Sequence, residues 1–423
     1  MNETMDLFAW DVGNPLLVKL PEEKSFLEWG ASLRYDPREK WRRSRQVPRE
    51  SHFHTIEEVN IPTERSIRFS LSAYSMLLVS LRRRDPRLPQ NRRRIYELAE
   101  LNRERLGKEL ESMVWFSDGA TGLILQGPTG CSKSHSLDAF LRLLPQVVEH
   151  GPNPDCGWMA LKQLVYLKIP MPPDASRSTL LYTMVKEIDR LLETSYAADV
   201  AKRKTVGEKI VDVLQILMVH RCGMLILEEV QVRNVAPVVL GSDFVALFLR
   251  ILNCGIPLVL VGNPIAFGHV LDFSQDLRRL TSAGMFNFGP VFDEEDPEWK
   301  SDLVPGIWSW TLLPKEDEYI PDLESLLYQR TGGAHDFLVK YRRESLIEAH
   351  RSGADSVSLA HMNAAFYSPS MIGLHKLIAC YVNKDDALLS SISDQPVGYL
   401  ADMWARERAR RVATADQKRN QTP

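Results

Sequence analysis

An apolar run from Thr121 to Gln126 leads directly into the loop Gly127-Pro128-Thr129-Gly130-Cys131-Ser132-Lys133-Ser134, and an amphipathic run from Leu137 to Leu144 follows. A strand, a loop of small residues and a helix in this order are what a phosphate-binding loop (P-loop) requires, because backbone N–H groups at a helix N-terminus attract anions. In such a loop Lys133 contacts the β- and γ-phosphates and the Ser134 hydroxyl holds Mg²⁺. The sequence therefore predicts that Gly127 to His135 bind ATP.

The loop departs from the usual pattern at one position. Ser132 stands immediately before Lys133, where P-loops usually have glycine. A serine accepts the backbone geometry of that position only at a steric cost. The alternative interpretation is an ordinary surface turn before a helix.

A second element of a nucleotide site is a buried strand that ends in acidic residues. The run from Met224 to Leu227 is followed by Glu228 and Glu229. In P-loop ATPases the first acid assists Mg²⁺ and the second polarises the attacking water, because phosphoryl transfer depends on positioning and charge neutralisation. Glu228 is therefore the candidate metal residue and Glu229 the candidate base. A strand with a solvated loop after it is the alternative.

A third strand, from Ile256 to Val261, leads to Gly262, Asn263 and Pro264. In AAA+ ATPases a polar residue at this place, called sensor 1, orients the water near the γ-phosphate. Asn263 fits that role. The alternative is that Asn263 only forms the turn into the next helix, because Asn-Pro commonly opens turns.

Apolar runs alternate with helical periodicity between about residues 96 and 313, which predicts an α/β fold with a parallel sheet flanked by helices. The predicted strands are Leu123–Gln126, Leu164–Ile169, Met224–Leu227, Leu258–Val261 and Ile307–Leu312. An N-terminal basic extension (1–95), with one helix from about Ile67 to Leu81, precedes this domain. A small all-α lid (314–398) and a basic tail (399–423) follow it, and we expect the tail to be disordered at its tip.

Composition is that of an ordinary soluble globular protein, with 44% hydrophobic residues and a net charge of −3. The five cysteines have neither CxxC spacing nor a zinc-finger histidine, so we expect them to be reduced and mostly buried. The segment Met1 to Asp11 has no charged-then-apolar leader, and no apolar run approaches the length of a membrane span. We expect a cytoplasmic protein without membrane contact.

Further segments have a characteristic order along the chain. The segment Ile61-Pro62-Thr63-Glu64-Arg65, with the helix after it and the stop at Arg84-Asp85-Pro86, resembles the one ahead of the ATPase core in a known family, the TnsC/TniB-like AAA+ regulators of DNA transposition. The stretch from Thr331 to Lys340 resembles its Gly-x-x-Asp-x-x-Val-Lys lid element, and the helices after it resemble the family's C-terminal pattern. The resemblance covers about residues 55 to 395. One departure is His335-Asp336, because many AAA+ lids carry an arginine, called sensor 2, at this place.

The resemblance implies an ATPase that uses ATP and Mg²⁺ and assembles as a ring or filament on duplex DNA, independently of base sequence. It implies a target selector of TniQ or TnsD type and transposase subunits as partners. An arginine of one subunit would contact the γ-phosphate held by the next, and Arg278 and Arg279 match the location of that finger. The alternative is that both arginines are ordinary solvent-exposed residues at the end of a helix.

Duplex contacts would come from a few basic and hydroxyl side chains that track phosphates. The candidates are Lys168, Arg177, Ser178, Thr179, Lys202, Arg203 and Lys204. The basic stretch from Arg34 to Arg49 and the runs Arg82–Arg84 and Arg92–Arg94 are further candidates. Exposed basic residues need no ligand, so a solvated surface is the alternative for all of them.

The same motifs are compatible with three other functions. A helicase-loader or replication-initiator ATPase shares the fold, but would be expected to carry a sensor 2 arginine or a winged-helix pattern after the lid. A small-molecule kinase would be compact, with a mobile arginine-rich lid. A scaffold that binds ATP without hydrolysing it is the fourth possibility.

Overall fold

The structure is a computed structural model that describes residues 13–38, 48–100, 119–174, 176–230, 242–271 and 274–421. Within the basic N-terminal stretch, residues 39–47 lie outside the described residues, as does the segment Met1 to Asp11. In the part of the chain that is described, no helix is long and apolar enough to cross a membrane.

The chain divides into two compact units. The sheet unit comprises Met1–Lys24, Arg68–Gln126 and Phe140–Phe286. The helical unit comprises Ser25–Ile67, Gly127–Ala139 and Asn287–Pro423. The predicted P-loop therefore belongs to the helical unit, although it starts at the residue after a strand of the sheet.

Seven strands are described, and five of them form the main sheet. They are β1 (Gly122–Gln126), β2 (Val147–His150), β3 (Leu161–Leu164), β4 (Tyr166–Pro170), β5 (Met224–Val230), β6 (Leu258–Gly262) and β7 (Met285–Asn287). The order in the main sheet is β4-β5-β6-β1-β7, and the pairs β4–β5, β5–β6 and β6–β1 are parallel. Parallel pairing puts the carboxyl ends of these strands at one edge, which is where α/β sheets bind ligands. The remaining strands, β2 and β3, form an antiparallel pair.

Helices surround the sheet and make up the helical unit. From the N-terminus to the end of the sheet unit they are α1 (Phe26–Leu33), α2 (Glu64–Arg83), α3 (Pro89–Glu100), α4 (Lys133–Leu141), α5 (Arg177–Leu192), α6 (Tyr196–Ala201), α7 (Val206–Val219), α8 (Ser242–Asn253), α9 (Pro264–Leu271) and α10 (Ser274–Leu280). The later ones are α11 (Leu323–Thr331), α12 (His335–Arg351), α13 (Leu359–Phe366), α14 (Pro369–Ile372), α15 (His375–Asn383), α16 (Asp386–Leu389) and α17 (Val397–Gln421). The described residues also form two 3₁₀ helices, Glu50–Glu58 and Pro154–Cys156, and a π-helical segment, Glu298–Trp308.

Each unit has its own hydrophobic core. In the sheet unit, apolar side chains of β4, β5 and β6 pack against α5, α7 and α8. In the helical unit, α12 is the central element, and Leu338 and Leu346 on it are fully buried. Phe53 and Ile56 of the N-terminal 3₁₀ turn belong to this second core. The predicted α/β class with a parallel sheet and a helical C-terminal region is confirmed.

The prediction of a fifth strand at Ile307–Leu312 is wrong. Ile307 and Trp308 end the π-helical segment, and the fifth strand of the sheet is the short β7. Leu303, Val304, Ile307 and Trp308 are buried, and their spacing of three to four residues places them on one helical face. Pro305, which lacks an N–H group, would also interrupt a strand ladder. The single strand predicted at Leu164–Ile169 is divided, since β3 ends at Leu164 and β4 begins at Tyr166.

The expectation of a disordered C-terminal tip is also wrong for the described residues, because α17 continues to Gln421. Leu400 and Trp404, four residues apart, are buried on one face of this helix. Glu407 accepts hydrogen bonds from Arg410 and Arg411 on its exposed face. Apolar anchors on one side and charged neighbours three and four residues apart on the other stabilise a helix that the polar composition alone does not suggest.

Candidate functional site

The backbone of the predicted P-loop excludes or strains a side chain at three positions. A Cβ atom built on Gly127 would lie 1.9 Å from the carbonyl oxygen of Phe288, so no side chain fits there. Gly130 has φ +81, a left-handed conformation that favours glycine. Ser132 has φ +57, which confirms the expected steric cost of a serine at this position.

The functional side chains of the loop differ in exposure. Lys133 donates from Nζ to the carbonyl oxygen of Pro128, 2.7 Å away. Burial lowers the pKa of Lys133, so an anion beside its ammonium group would be strongly stabilising. The hydroxyl of Ser134 is exposed and can accept a metal contact. The Cys131 side chain is buried, and burial raises its pKa to about 11, so it is a neutral packing group in the loop.

The start of α12 contacts the P-loop inside the helical unit. The backbone N–H of Asp336 donates to the carbonyl oxygen of Gly130 at 3.1 Å. The rings of His335 and His135 lie 5.5 Å apart, and His135 Nε2 is 2.9 Å from the carbonyl oxygen of Val59. The element that the sequence predicts as the lid is therefore joined to the predicted phosphate loop by a backbone hydrogen bond.

The lid position that often carries sensor 2 holds a neutral side chain. Burial, with smaller contributions from His135 and Arg65, lowers the pKa of His335 to about 3. Its imidazole is therefore uncharged near neutral pH. Lys340, one turn further along α12, lies 3.4 Å from the Asp336 carboxylate. These two residues of the lid helix thus present no uncompensated positive charge.

The acidic pair lies at a β-bulge on the carboxyl edge of the sheet. Leu227 pairs with Leu260 and Val230 with Gly262, so β5 has one extra residue across Glu228 and Glu229. Bulges redirect side chains and are common beside active sites. Glu228 is largely buried, whereas Glu229 is exposed and has φ +54. The two carboxylates therefore have different surroundings, as different roles would require.

Glu228 is ion-paired with a residue of the neighbouring strand. Lys168 Nζ lies 2.8 Å from Glu228 Oε2. Lys168 is on β4, where it stands opposite Ile226, and the next but one residue, Pro170, stands opposite Glu228. From the sequence alone, Lys168 is predicted to contact DNA, and this ion pair is not predicted. Its only signal would have been the register of β4 against β5, which a single sequence does not reveal.

Asn263 lies one residue beyond β6 at the same edge. Its N–H donates to the carbonyl oxygen of Val230 at 3.0 Å, and its Oδ1 accepts from the N–H of Ile265 at 3.1 Å. The first bond ties the Asn263 backbone to the end of β5. The second caps the start of α9, which is the turn role that the sequence left open. The side-chain NH₂ of Asn263 is a separate donor that a sensor could use.

The two finger candidates on α10 have different environments. Arg279 is half-buried and its guanidinium donates to Oδ1 of Asn253. Arg278 is exposed, and it forms no hydrogen bond or ion pair with the described residues. As far as the described residues go, Arg278 is therefore the one of this pair that can extend to a neighbouring molecule without losing a contact.

Most of the basic DNA candidates lie beside a carboxylate of the same unit. The pairs are Lys168–Glu228 at 2.8 Å, Arg177–Asp243 at 2.6 Å, Lys202–Asp199 at 2.9 Å and Arg203–Asp212 at 2.5 Å. Asp212 is buried, so Arg203 is held as a structural residue. Lys202 and its partner are both largely exposed, and such pairs contribute little and exchange easily. Lys204 is exposed, and Glu208 accepts from its backbone N–H.

The two hydroxyl candidates lie in the first turn of α5. Ser178 Oγ accepts from Lys209 Nζ at 2.7 Å, and Thr179 Oγ1 donates to Asp174 Oδ2 at 2.8 Å. Ser176 caps the helix by accepting from the N–H of Thr179. Both hydroxyls are therefore engaged locally, and contact with a phosphate would require them to exchange partners.

Comparison with known families identifies the central part of the chain. The sequence profile of the AAA domain matches residues 117–271. The chain contains an AAA-type ATPase domain. Its matched segment includes the P-loop, Glu228, Glu229 and Asn263, and it ends before Arg278 and the lid. The match supports ATPase activity for this segment.

No curated protein is similar enough in sequence to match the chain. Among solved structures, Cdc6p from Pyrobaculum aerophilum has 16% identity and a TM-score of 0.40, over 66% of this chain and 66% of that one. The Aeropyrum pernix ORC1 protein in complex with DNA has 19% identity and a TM-score of 0.38, over 67% and 68%. The RuvB Holliday junction branch migration motor from Thermotoga maritima has 12% identity and a TM-score of 0.32, over 71% and 88%. The chain thus spans just under two thirds of the Cdc6p chain, and none of these likenesses bears on activity or partners.

The residues of the AAA domain suit a magnesium nucleotide. In the helical unit, Lys133 supplies a cation and Ser134 a hard oxygen atom of the kind that Mg²⁺ prefers. When bound, Mg²⁺ would neutralise phosphate charge. In the sheet unit, Glu228 carries a carboxylate of the same hard-oxygen type, and it is ion-paired with Lys168 at 2.8 Å.

Proposed function

We propose that the chain is an ATP-switched AAA+ regulator of DNA transposition. It assembles on duplex DNA with ATP bound, connects a TniQ- or TnsD-like target selector to the transposase, and disassembles when ATP is hydrolysed. The resemblance of residues 55–395 to TnsC/TniB-like proteins supports the family. The observation that carries the proposal is the exposed Arg278 of an ATPase whose lid presents a neutral His335.

We assign a role to each candidate site residue from the charge of its side chain. Lys133 and the P-loop N–H groups bind the phosphates, while Ser134 and Glu228 hold Mg²⁺. Glu229 orients and deprotonates the attacking water, and Asn263 positions it. Charge that develops on the γ-phosphoryl group requires a cation, and an arginine that arrives in trans can raise the rate by about 10³-fold or more. Arg278 of the neighbouring subunit is our candidate for that cation, so hydrolysis is coupled to assembly.

The same features favour slow turnover in an isolated subunit. The Lys168–Glu228 ion pair competes with the metal for Glu228, and His335 contributes no positive charge. Ser132 and Glu229 both have strained left-handed backbones. A slow ATPase is suited to timing an assembled state rather than to driving a motor.

Assembly on DNA is tested by fluorescence anisotropy of a labelled random-sequence duplex in ATP, in a non-hydrolysable analogue and in ADP, with electron microscopy of the same samples. We expect tight, oligomeric binding only with the triphosphates. Affinity should fall steeply with salt, because phosphate contacts release counterions. Failure to bind in every nucleotide state would refute DNA assembly and favour an ATPase directed at a protein or small molecule.

Two variants refine the same assay. Lys204→Ala should reduce affinity and the salt slope, whereas Arg203→Ala should mainly destabilise the fold, because it leaves Asp212 buried without its partner. A selector pull-down with purified TniQ- or TnsD-like protein tests the transposition role separately. If DNA assembly succeeds but a selector does not bind, while a replicative helicase does, the helicase-loader alternative is correct.

A further inference from the structure

A second cluster of arginines lies in the sheet unit at the amino edge of the sheet, opposite the edge where β5 carries its acidic pair. Arg84 directly follows α2, and Arg221 is in the turn between α7 and β5. Both side chains are buried, with 6% and 9% of their surface exposed. Buried arginines are usually ion-paired, because an uncompensated buried charge is costly.

Arg84 is held by neutral groups. One of its terminal nitrogens donates to Ser80 Oγ at 2.7 Å and contacts the carbonyl oxygen of Gly223 at 3.4 Å. Ser80 Oγ in turn donates to the carbonyl oxygen of Gly255 at 2.8 Å. The guanidinium is therefore fixed at the starts of β5 and β6 without a carboxylate.

The Arg221 guanidinium makes fewer hydrogen bonds than that of Arg84. Its Nε is buried without a hydrogen-bond partner among the described residues, and its Nη1 makes only a 3.3 Å bond to the carbonyl oxygen of Met218. The indole Nε1 of Trp158 is likewise buried and unsatisfied, and the Arg221 guanidinium lies 5.8 Å from the Trp158 ring centroid. Arg221 also has φ +51, a strained backbone. Two neighbouring buried donors thus lack acceptors.

No negative charge compensates these guanidiniums within the described part of the chain. The acidic groups close to them are thiols and a phenol, and burial raises the pKa of Cys222 and of Cys254 to about 12, so both are neutral. The nearest carboxylate in sequence, Asp85, is engaged by Arg87 Nη2 at 2.7 Å. Burial and then the charge of Arg84 lower the pKa of Arg221 to about 10, so both arginines remain charged at neutral pH.

Space for a ligand adjoins Arg84. A small pocket that opens to solvent is lined by Ser80, Arg83, Arg84, Gly119, Thr121 and Gly255, among others, and it reaches Arg84 but not Arg221 or Trp158. Guanidinium forks match phosphate oxygens, and a tetrahedral phosphate can accept from several donors at once, whereas a carboxylate has only two oxygens.

We propose that Arg84, Arg221 and Trp158 form a binding site for a phosphate-type oxyanion at the amino edge of the sheet. The two guanidiniums supply the charge, and Arg221 Nε and Trp158 Nε1 supply the unused donors. The site is independent of the P-loop and of the proposed transposition function. Two guanidinium charges buried without a counter-ion destabilise the fold, and a bound oxyanion would neutralise them. The oxyanion would also link the end of α2 to the starts of β5 and β6.

The test is thermal unfolding of the full chain in phosphate, acetate and chloride at equal ionic strength. Lys133→Ala serves as the parent, so that phosphate at the P-loop does not dominate the response. We expect phosphate to raise the Tm of this parent by about 2 °C or more, and acetate to have a smaller effect. Arg221→Met on this background should lose the phosphate response, and Trp158→Phe, which keeps the ring without the N–H, should weaken it.

Arg342→Met is the matched control. Arg342 is buried but lies 2.5 Å from Asp317, so its loss should lower the Tm in chloride and leave the phosphate response intact. Arg221→Met should instead melt at or above its parent in chloride, because it removes an uncompensated charge. A full phosphate response in both Arg221→Met and Trp158→Phe would overturn the site. So would the absence of a response in the parent, or a response to acetate that exceeds that to phosphate.

Discussion

Glu229 combines a catalytic position with a strained backbone. Its φ of +54 costs about 1 kcal/mol relative to glycine, and such strain is tolerated where function requires it. We predict that Glu229→Gln lowers phosphate release by about 100-fold or more while ATP still binds. Glu229→Gly should lose hydrolysis equally, and should be about 1 kcal/mol more stable than the glutamine variant in denaturant unfolding.

Glu193 is the matched control for Glu229. It is also a glutamate with positive φ, +59, but it ends α5 and lies outside the candidate site. Glu193→Gly should relieve the same kind of strain and leave phosphate release unchanged. If Glu229→Gln kept more than a tenth of the wild-type rate, Glu229 would not be the base and another group would have to activate the water.

His335 makes stability depend on pH. The pKa of its imidazole is about 3 in the fold and near 6.5 in the unfolded chain, so the unfolded state binds more protons between these values. The free energy of unfolding should therefore fall as pH is lowered below about 6.5, and this contribution should be constant above it. Replacement by glutamine removes the effect. Denaturant unfolding from pH 8 to 5 checks this, and parallel curves for wild type and His335→Gln would contradict it.

At the scale of elements, α17 supports the backbone that packs on the P-loop. Tyr399 donates its hydroxyl to the carbonyl oxygen of Phe288, and Met403 contacts Gly289. The Phe288 carbonyl is the atom that leaves no room for a side chain at Gly127. We predict that Trp404→Ala lowers the free energy of unfolding by about 3–5 kcal/mol and also weakens ATP binding. Fluorescence titration with a labelled ATP analogue measures the second effect.

Substitutions at Arg411 and Arg410 test how much the charged contacts of α17 contribute to stability beyond its apolar packing. Arg411 lies 2.5 Å from Asp293 and 4.7 Å from the ring centroid of Phe292, whereas Arg410 is largely exposed and is paired with Glu407 of its own helix. Arg411→Ala should destabilise the fold by up to about 1 kcal/mol, and Arg410→Ala should have no measurable effect. Equal effects of the two substitutions would mean that α17 is held by its apolar face alone.

The elements that the sequence predicted correctly are those with strong local signals. The strands that carry the P-loop, the acidic pair and Asn263 are short apolar runs that end in turn or polar residues, and the helix around Ile67–Leu81 has clear periodicity. Pairing across the sheet has no local signal, so the Lys168–Glu228 bond and the bulge at Glu229 were not foreseen. The strand expected at Ile307–Leu312 failed because a buried helix face and a buried strand are both apolar runs.

At the scale of the whole molecule, hydrolysis should require two chains, because Glu229 and Arg278 would act on one nucleotide from different subunits. Arg278→Ala alone and Glu229→Gln alone should each bind ATP and release almost no phosphate. In an equal mixture, roughly one interface in four joins an intact Glu229 to an intact Arg278, because the interface of a ring or filament is head-to-tail. Phosphate release should therefore recover on mixing, and only under conditions in which the protein assembles.

The mixture also distinguishes Arg278 from Arg279. Arg279 is bonded to Asn253 within its own chain, so Arg279→Ala should lower stability by about 1 kcal/mol, and a mixture with Glu229→Gln should gain no activity beyond the sum of its parts. If mixing Arg278→Ala with Glu229→Gln restores nothing, although both still form assemblies, the arginine does not act across an interface. Normal hydrolysis by Arg278→Ala alone would exclude the finger entirely and leave charge neutralisation to Lys133 and the metal.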